Sequence, residues 1–337
     1  MRRLVVVLCL VLAPALGAQN ASAYAITQTW TLGGSGGWDY LVPDAARHRV
    51  YIGRTDRVMV VDTRTGKLVG EVKGIHGAHG AAIATSSGHG FATSGNDSSV
   101  IAFDLKTLAP LGKIHAAEDA DAIIYDAVSN RVFTFNGDAH SSTVIDAAKM
   151  SLITNIDLGG KPEYGVSADD GKVYANLTDK AEVVEIDTKT LRVTRRWSTA
   201  PCANPVAMAI DIPHHRLFSG CRSGVTAVSD YRAGKVVATA PIGAGTDGAG
   251  YDAASGNVFA SNADGTLTVM HQVSPDAYRV VQTLKTMPAS RNMTVDPISH
   301  VLYIAGAKFE TPAPGAPAGQ RPKVIDGSFV VLVVEKK

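Results

Sequence analysis

Ionisable side chains recur at one position of a repeated segment in this sequence. Counting back twelve residues from each of seven regularly spaced aromatic residues gives a column that reads Asp39, His79, Asp121, Pro162, Val206, Asp247 and Arg291. A second column, two residues nearer to each aromatic, is almost entirely apolar. Polar groups that converge above apolar packing are typical of a ligand site at the mouth of a closed structure.

These side chains could hold a metal ion. Imidazole nitrogen and carboxylate oxygen together suit zinc, whereas carboxylates alone suit calcium. The candidate ligands of such a divalent ion, Ca or Zn, are His76, His79, Asp39, Asp121 and Asp247. The alternative is a solvated polar ring without a metal, and the His-x-x-His spacing adds little because it lies in a loop that enters a strand.

The same side chains permit proton transfer, because crowded carboxylates raise one another's pKa and a histidine can exchange protons near neutral pH. A hydrolase or lactonase would use Glu118, Asp121 or Asp247 as the base, with His79 as its partner. A binding site requires no such step and is the simpler hypothesis. The predicted ligand-binding set is Trp38, Asp39, His76, His79, Asp121, Glu163, Asp247, Arg291 and Asn292.

The elements that must position these residues are short β-strands in a repeat. Each copy contains an aliphatic-aromatic pair, and the seven pairs are Val50-Tyr51, Gly90-Phe91 (a weaker copy), Val132-Phe133, Val173-Tyr174, Leu217-Phe218, Val258-Phe259 and Leu302-Tyr303. Four short strands separated by turn residues, at a period near 42, is the pattern of a propeller blade. We predict an all-β, seven-bladed β-propeller with four-stranded blades.

The two ends of the chain complement each other. The last repeat has a third strand, residues 329–335, and no fourth strand after it. An unpaired strand, residues 26–31, precedes the first repeat. Pairing these two segments removes exposed strand edges, so we expect the N-terminal strand to complete the last blade and close the ring. A proline-rich insertion at 310–323 interrupts that blade, and it is either an inert loop or a lid or contact arm.

The first 23 residues read as a cleavable signal peptide. Two arginines precede a short apolar run, and Ala21-Ser22-Ala23 is a small-x-small cleavage site. We therefore predict a single propeller domain at 24–337 that is periplasmic or secreted and has no membrane span. Cys9 leaves with the signal, and Cys202 and Cys221 remain. Two thiols in an oxidising compartment favour a disulfide, with two buried free cysteines as the alternative.

Charge argues against nucleic acid as the partner. Without Arg2 and Arg3 the chain has 30 basic and 31 acidic residues. The basic residues expected at the mouth are few, namely Arg54, Lys161, Arg222 and Arg291. Single-strand binding needs a positive groove with aromatic platforms, so it is the weakest of the functional classes considered. We expect a monomer that binds an unknown protein or small molecule on its top face, which is the face of the ring that carries the channel mouth.

Several segments resemble a known family. Phe133-Thr134-Phe135-Asn136 and Phe259-Ala260-Ser261-Asn262 resemble the Tyr-Val-Thr-Asn motif of YVTN propeller repeats. The closing run 320–334 is similar to the C-terminus of exported YncE-like proteins. The resemblance implies an exported seven-bladed propeller and, because the family has no single agreed chemistry, no catalytic residue. The function predicted is a binding or interaction module, and the alternative is a metal-assisted hydrolase or lactonase at the same mouth.

Overall fold

A computed structural model describes residues 23–311 and 323–337. In these residues the chain forms seven four-stranded antiparallel sheets, which confirms the predicted seven-bladed propeller. The predicted signal segment up to residue 22, and residues 312–322 of the proline-rich insertion, lie outside the described residues. Within the part described, no helix is long and apolar enough to cross a bilayer.

Each blade is four strands that are consecutive in the chain, except the last. Blades 1 to 3 are β2 Leu41–Asp44, β3 Arg49–Arg54, β4 Arg57–Asp62 and β5 Lys67–Val72; β6 Ala78–Ala84, β7 His89–Ser94, β8 Ser99–Asp104 and β9 Pro110–His115; and β10 Ala120–Asp126, β11 Arg131–Asn136, β12 Ser141–Asp146 and β13 Ser151–Asp157. Short 3-10 turns occupy Ala45–Arg47 and Gly95–Asp97.

The remaining blades follow the same order. Blades 4 to 6 are β14 Pro162–Ser167, β15 Lys172–Leu177, β16 Glu182–Asp187 and β17 Arg192–Ser198; β18 Pro205–Asp211, β19 Arg216–Cys221, β20 Val225–Asp230 and β21 Lys235–Pro241; and β22 Thr246–Asp252, β23 Asn257–Asn262, β24 Thr266–Ser274 and β25 Ala277–Lys285. Blade 7 is β26 Met293–Val295, β27 Leu302–Gly306, β28 Val330–Lys336 and β1 Tyr24–Thr31.

The first strand of every blade lies at the centre of the ring. These strands contact one another in an unbroken cycle, from β2 through β6, β10, β14, β18, β22 and β26 back to β2. The aromatic residues used to count the repeats, Tyr51, Phe91, Phe133, Tyr174, Phe218, Phe259 and Tyr303, all lie on second strands and are buried. They pack between neighbouring blades, so the apolar period in the sequence corresponds to the inter-blade core.

Aspartates hold the turns between third and fourth strands. The carboxylate of Asp187, at the end of β16, accepts backbone N–H bonds from Lys189 at 3.1 Å and from Thr190 at 2.7 Å. Asp62, Asp104, Asp146 and Asp230 make the same pair of bonds two and three residues on. Such turns satisfy backbone donors locally, which explains why these five third strands end in Asp.

The N-terminal strand closes the ring as predicted. β1 pairs antiparallel with β28, from Tyr24 opposite Lys336 to Thr31 opposite Val330. Tyr24 also contacts blade 6, because its backbone N–H donates to Gln282 at 2.8 Å and its carbonyl accepts from the same amide at 2.7 Å. The strand therefore joins blade 7 to its neighbour as well as completing it.

Cys202 and Cys221 form a disulfide in blade 5, with their Cα atoms 5.7 Å apart. Cys221 ends β19, and Cys202 lies three residues before β18. Both are buried. The bond joins the loop that enters the first strand to the end of the second strand.

We predict that deleting residues 24–32 abolishes the cooperative fold, because it leaves β28 as an open edge and removes the seam of the ring.

Trp30→Ala, which removes a buried side chain that packs on Tyr303, should lower the free energy of unfolding by roughly 3–5 kcal/mol. The control is Leu68→Ala, since Leu68 is 50% exposed. Thermal melts of the three chains measure the effect, and an unchanged melting temperature on deletion would contradict the closure.

The disulfide should add about 3 kcal/mol to the free energy of unfolding by restricting the unfolded chain. Urea denaturation of residues 24–337 with and without a reductant measures this difference. A thiol titration of the denatured, unreduced chain should find no reactive thiol. Two reactive thiols would show that Cys202 and Cys221 are unpaired in the purified protein.

Candidate functional site

A repeated β-bulge lies where the ionisable column enters the first strands of blades 2 to 6. In blades 2, 3 and 6 the register between the first two strands shifts at the second residue of the first strand, which is His79, Asp121 and Asp247 respectively. A bulge bends the strand and turns a side chain that a regular strand would direct elsewhere. Five successive blades carry this irregularity at the same place.

The strand pairing corrects the column in blade 4. The counted residue, Pro162, pairs with Leu177 as the first residue of β14. The residue in the bulge, equivalent to Asp121 of blade 3, is Glu163. The ring at the mouth therefore reads Asp39, His79, Asp121, Glu163, Val206, Asp247 and Arg291, with six ionisable members.

One side of the mouth is built around His79. Its Nδ1 lies 2.8 Å from Oδ2 of Asp39 and 3.1 Å from Oδ1 of Asp121. Asn292, from blade 7, donates to the other oxygen of Asp39 at 3.2 Å and so fixes the rotation of that carboxylate. Blades 7, 1, 2 and 3 thus meet in a single polar cluster.

The other side of the mouth is built around two arginines. Nε of Arg291 lies 2.9 Å from Asp247, and Arg222 lies 3.3 Å from Asp247 and 3.4 Å from Glu163. Arg222 follows β19 in blade 5. It supplies the charge that Val206, the blade 5 member of the ring, cannot provide.

Burial and mutual repulsion shift the pKa values of this cluster. Burial and the charge of Asp247 together raise the pKa of Glu163 to about 7, against the opposing charge of Arg222. Burial also raises the pKa of Asp247 and, together with the charge of Asp39, raises the pKa of Asp121. Burial alone would lower the pKa of His79, but the hydrogen bond to Asp39 and the charge of Asp121 outweigh it and raise that pKa to about 9.

Tyr40 spans the channel beneath these groups. It enters from blade 1, yet its ring lies 5.0 Å from that of Tyr164 in blade 4 and packs with Phe135 and other residues of blades 3 and 4. Burial raises the pKa of its phenol, and the surrounding carboxylates raise it further. A cavity of about 40 Å³ remains beside it, between Asp247 and Met293, which is room for one or two water molecules.

A second concavity adjoins the mouth at the seam between blades 7 and 1. Its volume is about 240 Å³, and it is lined by Gly37, Trp38, Ala289, Arg291, Asn292, Phe309 and Val324. Trp38 packs against Phe309 and Phe329 at ring distances of 5.9 and 5.6 Å. Arg291 and Asn292 line both this concavity and the mouth.

Some predicted residues lie elsewhere. His76 is 72% exposed and lies 3.4 Å from Asp97, apart from the group formed by Asp39, His79 and Asp121. Glu118 lies outside that group. Arg54 is not a mouth cation, because its buried guanidinium stacks 3.7 Å above Phe329 and donates to backbone carbonyls of the loop before β2. Lys161 lies 2.8 Å from Asp138.

Residues 33–37, Gly-Gly-Ser-Gly-Gly, match the Gly-x-Ser-x-Gly pattern of serine hydrolases. In those enzymes the serine stands on a turn between a strand and a helix. Here the segment is a loop between β1 and β2, and the carbonyl of Ser35 accepts a bond from Arg54 at 3.0 Å. The match therefore has a structural role and provides no nucleophile.

Comparisons with known proteins identify the fold and a family. A family model described as a domain of unknown function, DUF5074, matches residues 39–208. No curated protein matches the sequence. Among solved structures, one titled Kuenenia stuttgartiensis Hydrazine Synthase is similar, with a TM-score of 0.69 and 15% identity over 80% of this chain and 92% of that chain.

Two further structures are similar in fold. One is titled Structure of U3-55K, with a TM-score of 0.75, 9% identity and coverage of 90% of this chain and 97% of that one. The other is titled Crystal structure of RRP9 WD40 repeats, with a TM-score of 0.76, 9% identity and coverage of 90% and 96%. At these identities the likeness concerns the propeller alone.

We predict that Glu163→Gln changes how stability depends on pH. A carboxyl whose pKa is raised from 4.5 to about 7 stabilises the fold below pH 4.5, and this contribution is lost as the pH rises through 7. Relative to the parent chain, the variant should therefore gain up to about 3 kcal/mol between pH 4.5 and pH 8. Urea denaturation at both pH values measures it, with Asp170→Asn as an exposed control. An equal effect of Glu163→Gln at both pH values would contradict the assignment.

Proposed function

The chain belongs to the DUF5074 family, whose model matches residues 39–208 of its 337, and we propose that it is an exported binding module that takes a small cation at the channel mouth. The observation that carries this proposal is an imbalance of charge. Four carboxylates, those of Asp39, Asp121, Glu163 and Asp247, share three cationic side chains. A bound cation would supply the missing positive charge.

Burial makes this imbalance costly. A carboxylate removed from water is unfavourable unless it is paired, and the protein responds by holding protons on such groups. The raised pKa values of Asp121, Glu163 and Asp247 are consistent with this response. A cation would displace those protons and pair with the ionised carboxylates, and this pairing would supply the affinity.

Anionic ligands fit less well. Both arginines at the mouth are already engaged, because Arg222 and Arg291 each contact Asp247. An anion would have to compete with a carboxylate that is only 9% exposed. The same argument disfavours single-stranded nucleic acid, whose phosphates need unengaged basic residues along a groove.

The alternative, a metal-assisted hydrolase or lactonase, uses the same side chains. It is favoured by the placement of His79 between two carboxylates, which suits acid–base chemistry. This function requires turnover of an ester or lactone that is lost in His79→Ala and Asp121→Ala while the fold is kept. Binding alone requires no such turnover.

Export is supported by three features. The signal-like segment ends at residue 23, and Tyr24 is the first residue of β1. The Cys202–Cys221 disulfide suits an oxidising compartment. The resemblance of the closing run to the C-terminus of exported YncE-like proteins points the same way, so we place the site of action in the periplasm or outside the cell.

The test is isothermal titration of the chain from residue 24 with 1,4-diaminobutane and with the chlorides of calcium, manganese and zinc. We expect saturable binding of at least one of these cations and a loss of roughly three- to tenfold in affinity in Glu163→Gln, because one carboxylate charge is removed near the ligand. The control is Asp170→Asn, since Asp170 is exposed beyond the opposite end of β14. Absence of binding by all four probes, or equal losses in both variants, would refute the proposal.

A further inference from the structure

A buried carboxylate oxygen at the mouth lacks a partner. Oδ1 of Asp121 is inaccessible to solvent and accepts no hydrogen bond from the described residues. It lies 3.1 Å from Nδ1 of His79, but that nitrogen carries a single hydrogen, which points to Asp39 at 2.8 Å. Nδ1 of His79 therefore lies close to two carboxylate oxygens, but its single hydrogen can bond to only one of them.

The spacing of these three atoms matches the ligands of a metal ion. A transition metal with bonds of about 2.1 Å holds neighbouring ligands about 3.0 Å apart in octahedral geometry and about 3.4 Å apart in tetrahedral geometry. Nδ1 of His79 lies 2.8 and 3.1 Å from the two oxygens, and the three ligand atoms all lie within 4.8 Å of one another. An ion bound to all three would give Oδ1 of Asp121 the partner that the hydrogen cannot.

We infer that Asp39, His79 and Asp121 form a binding site for a divalent transition-metal ion, such as Zn²⁺. This inference rests on the proposed function, because it names the cation and its place in the mouth. A nitrogen ligand favours zinc or a related ion over calcium, which takes six to eight oxygen ligands. The exposed His76 is not one of the three proposed ligands.

The surroundings hold the three ligands in place. Asn292 is 2% exposed, and its amide donates to the Asp39 oxygen that does not face His79. Such second-shell bonds orient carboxylate ligands. Gly95 lies against the imidazole, and a Cβ atom at that position would lie 3.0 Å from Nε2 of His79. The ligands also come from three successive blades of a closed ring, so their separation is set by rigid elements.

The experiment uses the untagged chain from residue 24, stripped with a chelator and titrated with ZnCl₂. We expect one equivalent of zinc to bind, and affinity to fall by more than about 100-fold in His79→Ala and in Asp121→Asn, since each removes a ligand. Asn292→Ala should weaken binding about tenfold. The matched control is His76→Ala, three residues from His79, which should bind as the parent does.

Cobalt provides a readout that does not depend on affinity alone. Co²⁺ bound to nitrogen and oxygen ligands absorbs visible light, and that spectrum should be present in His76→Ala and absent in His79→Ala. Thermal melts of the metal-stripped variants establish that each is folded, and His79→Gln replaces His79→Ala if the alanine variant is not. Equal losses in His76→Ala and His79→Ala would overturn the inference.

The outcomes separate the two proposals. If zinc does not bind and 1,4-diaminobutane binds in a manner that Glu163→Gln weakens, the metal site is refuted and the cation-binding function stands. If neither zinc nor the other cations bind, both are refuted. Zinc binding that survives Asp121→Asn would place the metal elsewhere and would also overturn the inference.

Discussion

Closure of the ring by β1 and β28 is the constraint on which the rest of this structure depends. The polar mouth is assembled from residues of different blades, so its distances hold only if the blades form an unbroken circle. The bond from Asn292 to Asp39 crosses the seam between the last and first blades. It connects the site directly to the closure, since Asn292 precedes β26 and Asp39 precedes β2.

The closed ring also explains how buried charge is tolerated. Carboxylates from opposite sides of the channel repel one another, and an isolated pair of strands would relax to separate them. In the propeller the first strands contact their neighbours on both sides, and Tyr40 packs across the channel against Tyr164. The groups therefore keep their positions and respond by shifting pKa instead. Local charge repulsion at an otherwise well-packed centre is typical of a site shaped by function, because a core optimised only for stability would avoid it.

The fold could be predicted from the sequence because its determinants are local and repeated. Aromatic residues at a period near 42 mark the second strands, and an Asp ends each of several third strands because its side chain holds the next turn. The mouth was predicted in outline by counting from those aromatics. In blade 4 the count was wrong by one residue. The stretch from the mouth residue to the aromatic is one residue shorter there, so the bulge contains Glu163. Arg54 could not be assigned correctly, because its burial on Phe329 depends on a contact between distant parts of the chain. The bridge made by Arg222 and the crossing made by Tyr40 also depend on the assembled ring.

The two sides of the mouth differ in what they lack. Around Asp247, two arginines pair with the carboxylates of Asp247 and Glu163. Around His79, one hydrogen serves two carboxylates, and an oxygen of Asp121 remains unpartnered among the described residues. A cation therefore has its strongest reason to bind on the side formed by blades 1 to 3. Propellers at 9–15% identity share the scaffold and need not share this asymmetry. If the proposed cation site is correct, a chain with the same seven blades but a neutral residue at position 121 would lose the site and keep the fold.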